Sequence, residues 1–432
     1  MPKISPFAAY RYNLQKVNPS EVVAPPYDVI GPEQQDALYK KSPYNVVRID
    51  LAKEEAGLDR YQIAKKNFEE WKQKEILVQD SKPSLYLYFQ TFALPDGRRL
   101  TRKGFLARRR LESFAEGGVK PHEMTFPGPK ADRLQLMQAT KANLSPIFGL
   151  YSDPKSEVSQ LLLKLAAQKP DIHIVEANGD EHQVWRIDSE EAIRDLLNLV
   201  HDRSLLIADG HHRYETALAY RDEQLAKLGA LATGKEAFNY VMMYFCSLQD
   251  EGLVVLPTHR VLEEAPELDA AMIKQLLEKY ARIKTFTVAQ AESALEFLEA
   301  EGKHEHAIAW VHEGKIEVMT FDVEKLLGNT ELSHLHFALR DLDVTILHHL
   351  VLEEIMGISR GAQKEYGRVH YIKNAQEAIE LVQQKKSHAF LMNATKLKQI
   401  EAVTEIGEKM PQKSTFFYPK LLTGLVFCDL SA

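Results

Sequence analysis

The amino-acid sequence predicts a mixed α/β (α+β) fold in two domains, and three observations support this. The chain has 432 residues, which is the size of two or three domains. Segments with helical periodicity alternate with short apolar segments that are typical of strands. A short apolar strand, a polar turn and an unbroken helix also follow one another within residues 204–229. We expect one domain over residues 1–232 and a second, mixed α/β domain over residues 233–432.

The first 55 residues are predicted to be largely extended and punctuated by prolines. Pro25 and Pro26 cannot lie in a helix interior or donate to a sheet, so they hold this segment in one conformation. Pro32 is expected to begin a short helix over residues 32–40. The alternating pattern of residues 45–51 predicts a strand.

The next hundred residues are predicted to contain a helix, a hairpin and a long polar loop. Apolar and aromatic positions three and four residues apart predict the amphipathic helix, and an Asp-Gly pair favours a tight hairpin turn. A polar loop of this length is typical of functional or mobile segments. The predicted elements are the helix at 58–76, strands at 84–94 and 99–110, the loop at 113–132, a further helix, and a strand at 146–151.

The rest of the chain continues to alternate between helices and strands, as expected for layered α/β or α+β domains. Up to residue 256, the predicted elements are a helix at 154–168, a hairpin at 172–188, a helix at 190–200 capped by Ser189, a strand at 204–208, a helix at 214–229, and an apolar hairpin of 238–248 and 253–256. Beyond it, helices are predicted at 268–281, 289–300, 375–385 and 395–408, and strands at 283–287, 306–322, 368–372, 388–392, 415–418 and 422–428.

The composition excludes several classes of protein. Hydrophobic residues make up 45% and charged residues 27% of the chain, so the sequence is neither low-complexity nor broadly disordered. The formal net charge of −7 disfavours a protein whose whole surface binds nucleic acid. Cys246 and Cys428 lie in apolar, strand-like segments, and a chain of 432 residues with at most one disulfide is typical of a reducing compartment. Because no segment resembles a leader peptide or a membrane span, we expect a cytoplasmic protein with no membrane partner.

The main candidate site is Asp209-Gly210-His211-His212-Arg213, between the predicted strand and helix. A helix N-terminus presents unpaired N–H groups and the positive end of its dipole. Gly210 lets a ligand approach the backbone, and the histidines and Arg213 supply donors for phosphate oxygens. The segment therefore predicts a phosphate-binding site, although its spacing matches neither a Walker loop nor a dinucleotide motif. The alternative is a charged first turn in which Asp209 only caps the helix.

Two resemblances to known families follow from these residues. Residues 209–217 (DGHHRYETA) resemble the phosphate motif of the ParB and sulfiredoxin superfamily, which includes free serine kinases. A wider set of segments resembles the bacterial and archaeal family called domain of unknown function 1015, and covers essentially the whole chain. Those segments are 24–30, 45–48, 122–125, 143–148, 209–218, 256–260 and 410–424. The resemblances imply a ParB/sulfiredoxin-like, nucleotide-handling N-terminal core with a long insertion.

The superfamily resemblance also implies a carboxylate that acts as a base. In its serine kinases, a carboxylate of the N-terminal segment serves as base toward the substrate hydroxyl. Asp28 and Glu21 lie in the corresponding segment, and Asp28 is the preferred candidate because Pro25 and Pro26 would fix its position. The alternative for Asp28 is a turn residue that bonds its own backbone.

A second candidate group lies on the predicted loop. His122 and Glu123 supply acid/base groups, and Arg133 an anion-binding group, so we hypothesise that the loop closes over the phosphates or the acceptor. A solvated loop without function is the alternative. The basic strand 98–110 is read either as a solvated face or as a wall for an anionic ligand. Three further residues are candidates for a substrate edge: Arg48, His259 and Lys413. For His259 and Lys413 the alternative is a plain strand.

We expect no metal site made by the protein alone. Asp209, His211 and His212 are adjacent in sequence and cannot all converge from one helix face, and neither an HExxH nor a CxxC motif occurs. Mg²⁺ that arrives with a nucleotide is expected, because phosphates supply much of its coordination shell. His348 and His349 lie on an apolar helix and are read as structural.

Together these features predict an enzyme, a nucleotide-dependent phosphotransferase acting on a small hydroxyl compound. A free-serine-kinase-like activity is the most specific interpretation, with ATP or ADP, or else CTP, as the nucleotide and Mg²⁺ beside it. The expected partners are the nucleotide and the small substrate, nucleic acid is disfavoured, and an oligomer stays open. Two alternatives also stay open: a ParB-like nucleotide switch without small-molecule turnover, and a phosphoester hydrolase.

Overall fold

The computed structural model describes residues 3–55, 57–94, 96–125, 127–262, 269–358, 369–385 and 387–431. The fold is mixed α/β, which confirms the predicted class. The chain divides into two compact units. The first unit comprises Met1–Pro121, Thr125–Val254 and Pro419–Ala432, and the second comprises His122–Met124 and Val255–Tyr418. The domain boundary expected after residue 232 stays a prediction.

The strands, in chain order, are β1 (Ile4–Ser5), β2 (Tyr10–Tyr12), β3 (Leu77–Gln79), β4 (Leu85–Ala93), β5 (Arg99–Arg110), β6 (Val119–Lys120), β7 (Ala142–Asn143), β8 (Ile147–Tyr151), β9 (Ile172–Val175), β10 (Glu181–Ile187), β11 (Leu205–Asp209), β12 (Tyr240–Ser247), β13 (Val254–Leu256), β14 (His259–Leu262), β15 (Ala281–Thr287), β16 (His306–His312), β17 (Lys315–Phe321), β18 (Val369–Ile372), β19 (His388–Met392), β20 (Phe416–Tyr418) and β21 (Cys428–Asp429).

The helices, in chain order, are α1 (Pro19–Val22), α2 (Pro32–Lys41), α3 (Val47–Asp50), α4 (Arg60–Gln73), α5 (Pro127–Thr140), α6 (Glu157–Leu165), α7 (Glu190–Val200), α8 (His211–Leu228), α9 (Ala270–Leu277), α10 (Ala291–Gly302), α11 (Val323–Leu327), α12 (Thr330–Ser333), α13 (Phe337–Arg340), α14 (Asp343–Ile346), α15 (Leu347–Ile355, a π-helix), α16 (Ala375–Lys385) and α17 (Leu397–Glu405). None of these helices within the described ranges is long and apolar enough to cross a membrane.

The first unit is built on one large mixed sheet. Its strand order is β6-β11-β8-β12-β5-β4-β10-β9, with β1 also paired to β5. Strand β11 lies beside β6 and β8, and α8 follows it directly. Helix α5 packs against α8 and against α4. The two helices α5 and α8 are therefore neighbours, and α8 begins where β11 ends.

Several predicted elements of the first unit are confirmed. Helix α4 buries Ala64, Phe68 and Trp71, the apolar positions that predicted it, and Asp59 caps its N-terminus. Strands β4 and β5 form the predicted antiparallel hairpin, although Pro95 of its turn lies outside the described residues. The side chain of Ser189 accepts a hydrogen bond from the first turn of α7, as expected of its cap. The apolar spacing and the capping residues were thus sufficient to predict these elements.

The strand predicted for residues 45–51 is wrong, because this segment forms the single helical turn α3. The side chain of Asn45 accepts a hydrogen bond from the backbone N–H of Val47 at 3.0 Å. Its amide donates to the carbonyl oxygens of Glu21 and Val23, at 2.7 and 3.0 Å. These bonds hold the turn in place, and the surrounding core buries its apolar side chains. The alternating pattern therefore arises because the core encloses this helical turn.

The long loop predicted for residues 113–132 is only partly correct. It contains a 3₁₀ turn at Phe114–Glu116 and the short strand β6, and helix α5 already begins at Pro127. Proline suits the first turn of a helix, where its missing N–H would have had no partner. Arg133 therefore lies on a helix, where the sequence predicted a flexible loop.

Two further strand predictions are corrected by the pairing. The apolar segment 238–248 does not form a hairpin with 253–256, because β12 is a central strand between β5 and β8. All eight of its residues are buried, which explains why the segment is continuously apolar. The strand predicted at 422–428 reduces to β21 and to isolated bridges at Thr423 and Phe427.

The second unit is built on a sheet with the strand order β15-β17-β16-β19-β14-β18, in which neighbouring strands are antiparallel. Helices α10 and α16 supply apolar side chains to its core. The region predicted as one strand at 306–322 is the hairpin of β16 and β17. Its turn has Glu313 and Gly314 in the left-handed region, with φ of 46° and 75°. Arg368, in the strand predicted at 368–372, lies outside the described residues.

The two cysteines are both free and buried. Burial raises the pKa of the Cys428 thiol to about 12. Both thiols therefore behave as small apolar groups of the core.

Candidate functional site

The candidate site is built on the junction between β11 and α8. Gly210 has a φ of 94°, in the left-handed region, and α8 begins at His211, three residues before the predicted start. The backbone N–H of Tyr214 makes the first bond of the helix, to the carbonyl oxygen of Gly210, at 2.9 Å. The N–H groups of residues 211–213 therefore come before the first intrahelical bond, at the N-terminus of α8.

Two cations bind the carboxylate at this junction. The guanidinium of Arg213 contacts one oxygen of Asp209, and the ammonium of Lys420 contacts the other. Arg213 also donates to the hydroxyl of Ser145 at 3.3 Å and to the carbonyl oxygen of Pro146. The three charged side chains are between 12% and 17% exposed, so they remain accessible at the surface. Two cationic side chains therefore meet on one carboxylate beside the helix N-terminus.

A small cavity of about 40 Å³ lies beside Arg213, between α5 and α8. A second arginine, Arg133, lines it and donates to the Asp50 carboxylate at 3.0 Å. The other carboxylate oxygen of Asp50 is buried and has no hydrogen-bond partner among the described residues. Burial raises the pKa of the Asp50 carboxyl, against the opposing effect of Arg133 and Arg213. The cavity therefore joins two arginines and one acid whose second oxygen is available.

Arg133 connects this cavity to the N-terminal segment that carries Asp28. Its guanidinium lies 3.9 Å from the centre of the Tyr27 ring, and it also pairs with Asp132 at 2.6 Å. Burial raises the pKa of Tyr27 to about 12, and the neighbouring charge of Asp28 adds to that rise. Asp28 is exposed, and its charge also raises the pKa of Asp50. Asp28 therefore lies in the same electrostatic neighbourhood as the two arginines.

Glu21 and Arg48 have other surroundings. Glu21 is exposed on α1, and its backbone carbonyl accepts the bond from Asn45. Arg48 donates to the carbonyl oxygens of Tyr39 and Ser42, at 2.7 and 3.2 Å, and lies 4.3 Å from the centre of the Tyr39 ring. These contacts satisfy carbonyl groups at the C-terminal end of α2, which is a structural role.

His122 and Glu123 belong to the second unit, whereas Arg133 lies in the first. The ring of His122 is fully buried, and its Nε2 lies 2.8 Å from the hydroxyl of Thr415. The carboxylate of Glu123 accepts hydrogen bonds from the Thr415 hydroxyl and backbone N–H, at 3.0 and 3.1 Å. Both side chains thus hold the start of β20 in place.

The two remaining candidates for a substrate edge, His259 and Lys413, also lie in the second unit. His259 accepts the backbone N–H of Met392 on Nδ1 at 3.1 Å. Burial, together with the charge of Arg260, lowers the pKa of His259 to about 4. This imidazole is therefore neutral near pH 7 and acts as an acceptor inside the sheet. Lys413 has a φ of 56°, and its carbonyl oxygen accepts a bond from Arg260.

The arginine-rich strand β5 is tied into the fold. Arg102 and Arg109 are fully buried, and Arg109 pairs with Glu112 at 2.9 Å. Lys103 and Arg99 pair with carboxylates from other segments of the first unit, at 3.3 and 3.1 Å. The central charges of the strand are therefore used in internal contacts, whereas Arg99 and Arg110 at its two ends are exposed.

Two residues of the site, Asp50 and Lys420, were not identified from the sequence. Lys420 lies within the 410–424 segment that carried the family resemblance, which is the one signal that pointed to it. Asp50 was not identified because its segment, residues 45–51, was interpreted as a strand. Among the residues described by the structure, no group of three or more His, Cys, Asp or Glu side chains could hold a metal ion.

Replacing Gly210 with alanine should destabilise the first unit by about 1–2 kcal/mol, because an L-residue resists the left-handed conformation. The added Cβ would also lie 3.1 Å from the guanidinium of Arg213 and would displace it from Asp209. Urea unfolding followed by circular dichroism measures the loss. Gly31→Ala is the matched control: this glycine also precedes a helix, but its φ is −80° and no atom lies within 4 Å of its Cβ position. A loss at position 210 no larger than that of the control would contradict the assignment of strain.

The chain was compared with known proteins. No curated protein matches the sequence significantly. Among solved structures, the chain is similar to a free serine kinase variant in complex with ADP, at 14% identity and a TM-score of 0.36, over 73% of this chain and 89% of that one. It is also similar to SbnI from Staphylococcus aureus with a C-terminal truncation, at 13% identity and a TM-score of 0.35, over 74% and 86%.

A conserved hypothetical protein from Pyrococcus furiosus is similar at 15% identity and a TM-score of 0.33, over 71% of this chain and 89% of that one. A family model also matches the sequence over residues 4–345, including the segment 209–213. This match spans well over half of the chain. The protein therefore belongs to the family described as protein of unknown function DUF1015.

Proposed function

We propose that this protein is a nucleotide-dependent phosphotransferase that acts on a small hydroxyl compound. One observation carries the proposal: Asp209 is held between Arg213 and Lys420 at the N-terminus of α8. Phosphoryl transfer depends mainly on positioning and on electrostatic stabilisation of the phosphate oxygens, and this junction offers both cations and backbone N–H groups. We propose free serine as the acceptor, because residues 209–217 resemble the ParB and sulfiredoxin superfamily, which includes free serine kinases.

The phosphates of ATP or ADP would lie against the first turn of α8. The backbone N–H groups of residues 211–213 would donate to phosphate oxygens, and the left-handed Gly210 leaves room for their approach. Arg213 and Lys420 would exchange part of their contact with Asp209 for contact with the phosphate. Because both cations are already held by one carboxylate, little side-chain entropy is lost when the nucleotide binds.

Asp28 would act as the general base toward the hydroxyl. The hydroxyl oxygen of the acceptor forms a bond to the terminal phosphorus, and the bond from that phosphorus to the leaving phosphate breaks. The hydroxyl proton passes to the Asp28 carboxylate. Asp28 is exposed and so can reach a bound acceptor, whereas the buried Asp50 would hold Arg133 in position.

Mg²⁺ would enter with the nucleotide, and the Asp209 carboxylate would be a suitable ligand for it. A carboxylate oxygen together with phosphate oxygens and water is a suitable ligand set for this ion. The ion would neutralise phosphate charge, while Arg213 and Lys420 hold the oxygens that it leaves free.

Incubation with ATP, ADP or CTP, each with Mg²⁺ and with or without serine, tests the proposal. Mass spectrometry should detect phosphoserine in at least one nucleotide arm, and nucleotide consumption should rise when serine is added. Nucleotide binding or hydrolysis that is independent of any small hydroxyl compound would support a nucleotide switch. Turnover of phosphate monoesters without nucleotide would support a phosphoester hydrolase. Either of these last two results would overturn the phosphotransferase assignment.

A further inference from the structure

A cavity of about 320 Å³ lies in the second unit, apart from the junction of β11 and α8. Its lining includes Thr258, immediately before β14, His306 at the start of β16 and Met392 at the end of β19. Strand β19 runs antiparallel to both neighbours, so its C-terminal end and their N-terminal ends meet at one edge of the sheet. Helix α17 begins at the same edge, directly after Lys396.

Arg260 is a buried cation in the wall of this cavity. The residue is 1% exposed, and it donates to the carbonyl oxygens of Thr258 and of Lys413, the latter at 3.1 Å. Its Nε–H is buried and has no hydrogen-bond partner within the described ranges. Burial lowers the pKa of Arg260 to about 10, so the guanidinium still carries its charge near neutral pH. Its hydrogen bonds go to neutral carbonyl groups, while the charge of Glu123 favours its charged form through space. A buried guanidinium is stabilised further by an anion that bonds to it directly.

The formal charges of the cavity wall balance, with Arg260, Lys396 and Lys398 against three carboxylates, but the partners of these groups differ. Lys396 is exposed and donates to the carbonyl oxygen of Gly302 at 3.0 Å, and Lys398 also lines the cavity. The acidic residues of the lining have partners of their own. Asp343 and Asp341 lie 2.7 and 3.5 Å from the two ring nitrogens of His306, and Glu305 lies 3.3 Å from Arg282.

We propose that this cavity binds a small anionic ligand through a carboxylate or phosphate group held by Arg260 and Lys396. The Nε–H and an Nη–H on one edge of a guanidinium form two parallel bonds to an oxyanion. We assign the Nε–H of Arg260 to such a bond because it is buried without a hydrogen-bond partner among the described residues. The cavity volume is at the lower end of the range for small-molecule sites. The assignment does not depend on the proposed phosphotransfer, because every residue that carries it lies in the second unit.

Hydrogen-exchange mass spectrometry on the full chain tests the proposal, with inorganic phosphate and with succinate as separate probes. At a concentration about ten times the Kd, exchange at the amides of residues 393–399 should slow about tenfold. Protection by phosphate alone assigns a phosphate ligand, and protection by succinate alone assigns a carboxylate ligand. The Arg213→Gln variant should keep this protection, which separates the cavity from the phosphate site of the first unit.

The Arg260→Met variant should lose the protection, because it retains the apolar stem and removes the charge. If this variant fails to fold, Lys396→Ala takes its place, and it should weaken binding by about threefold to tenfold. Lys279→Ala is the control, since this exposed lysine of the same unit does not line the cavity. Protection by neither probe, or binding that both cavity variants leave unchanged, would overturn the proposal.

Discussion

Replacing Arg213 with glutamine is expected to lower nucleotide-dependent turnover about 10³-fold, while the fold is retained. In phosphoryl transfer an arginine on the transferred phosphate contributes about 10³–10⁵ in rate, because it meets charge that develops in the transition state. Glutamine retains some capacity to donate to Ser145 and Pro146 but removes the charge from Asp209. Steady-state kinetics with ATP or ADP measure the loss of turnover, and calorimetric titration measures the loss of nucleotide affinity.

Arg221→Gln is the matched control for this experiment. Arg221 lies on the same helix, eight residues farther along, and contacts Asp222 and the carbonyl oxygen of Leu111 instead of Asp209. Its replacement should change turnover by less than about twofold, as is usual for a surface charge. Far-ultraviolet circular dichroism should be the same for both variants. Unchanged nucleotide affinity in Arg213→Gln would remove Arg213 from the site and with it the basis of the phosphotransferase assignment.

Replacing Asp28 with asparagine is expected to lower kcat by about 10²–10⁴-fold, the range for the loss of a general base. Asparagine keeps the size of the side chain and can still act in the 3₁₀ turn that contains residue 28, but it cannot take up the hydroxyl proton. Nucleotide affinity should stay within about twofold of the wild type, because Asp28 is not placed against the phosphates. Rapid-quench measurement of phosphoserine formation and calorimetric titration separate these two quantities.

Glu21→Gln tests the other carboxylate of the N-terminal segment under the same conditions. Glu21 is exposed, and its hydrogen bonds to Asn18 and Asn45 are made by its backbone, so kcat should be unaffected by a change of its side chain. A normal kcat in the Asp28→Asn variant would show that Asp28 is not the base and has only a structural role in its 3₁₀ turn. A large loss at Glu21 instead would move the base to α1.

The predictions from sequence succeeded where the structure depends on neighbouring residues. The three- and four-residue spacing of apolar and aromatic positions predicted α4, and the Asp96-Gly97 pair predicted the turn of the β4–β5 hairpin. They failed where distant groups complete the geometry. The segment 45–51 is a helical turn because Asn45 bonds to the backbone of a segment more than twenty residues away. No local pattern contains that bond.

The candidate site likewise combines residues that are neighbours in sequence with residues that only the fold brings together. The strand, the glycine and the basic first turn are contiguous, so residues 209–213 could be identified directly as a candidate phosphate-binding segment. Lys420 and Asp50 are far away in sequence, and only the folded chain places Lys420 on Asp209 and Asp50 on Arg133. His122 and Glu123 show the opposite case, because their polar side chains suggested chemistry but hold Thr415 in the second unit.

By itself, the sequence determined the mixed α/β class, most of the helices and strands, and the motif that joins β11 to α8. These features follow from periodicity and from capping chemistry within a few residues. The tertiary structure decided which charges are available to a ligand. It buries Arg102 and Arg109 in internal contacts, brings Arg213 and Lys420 together on Asp209, and leaves the Nε–H of Arg260 facing no described partner. The physical reason is that charge–charge contacts depend on distance in space, and the folded chain alone determines that distance.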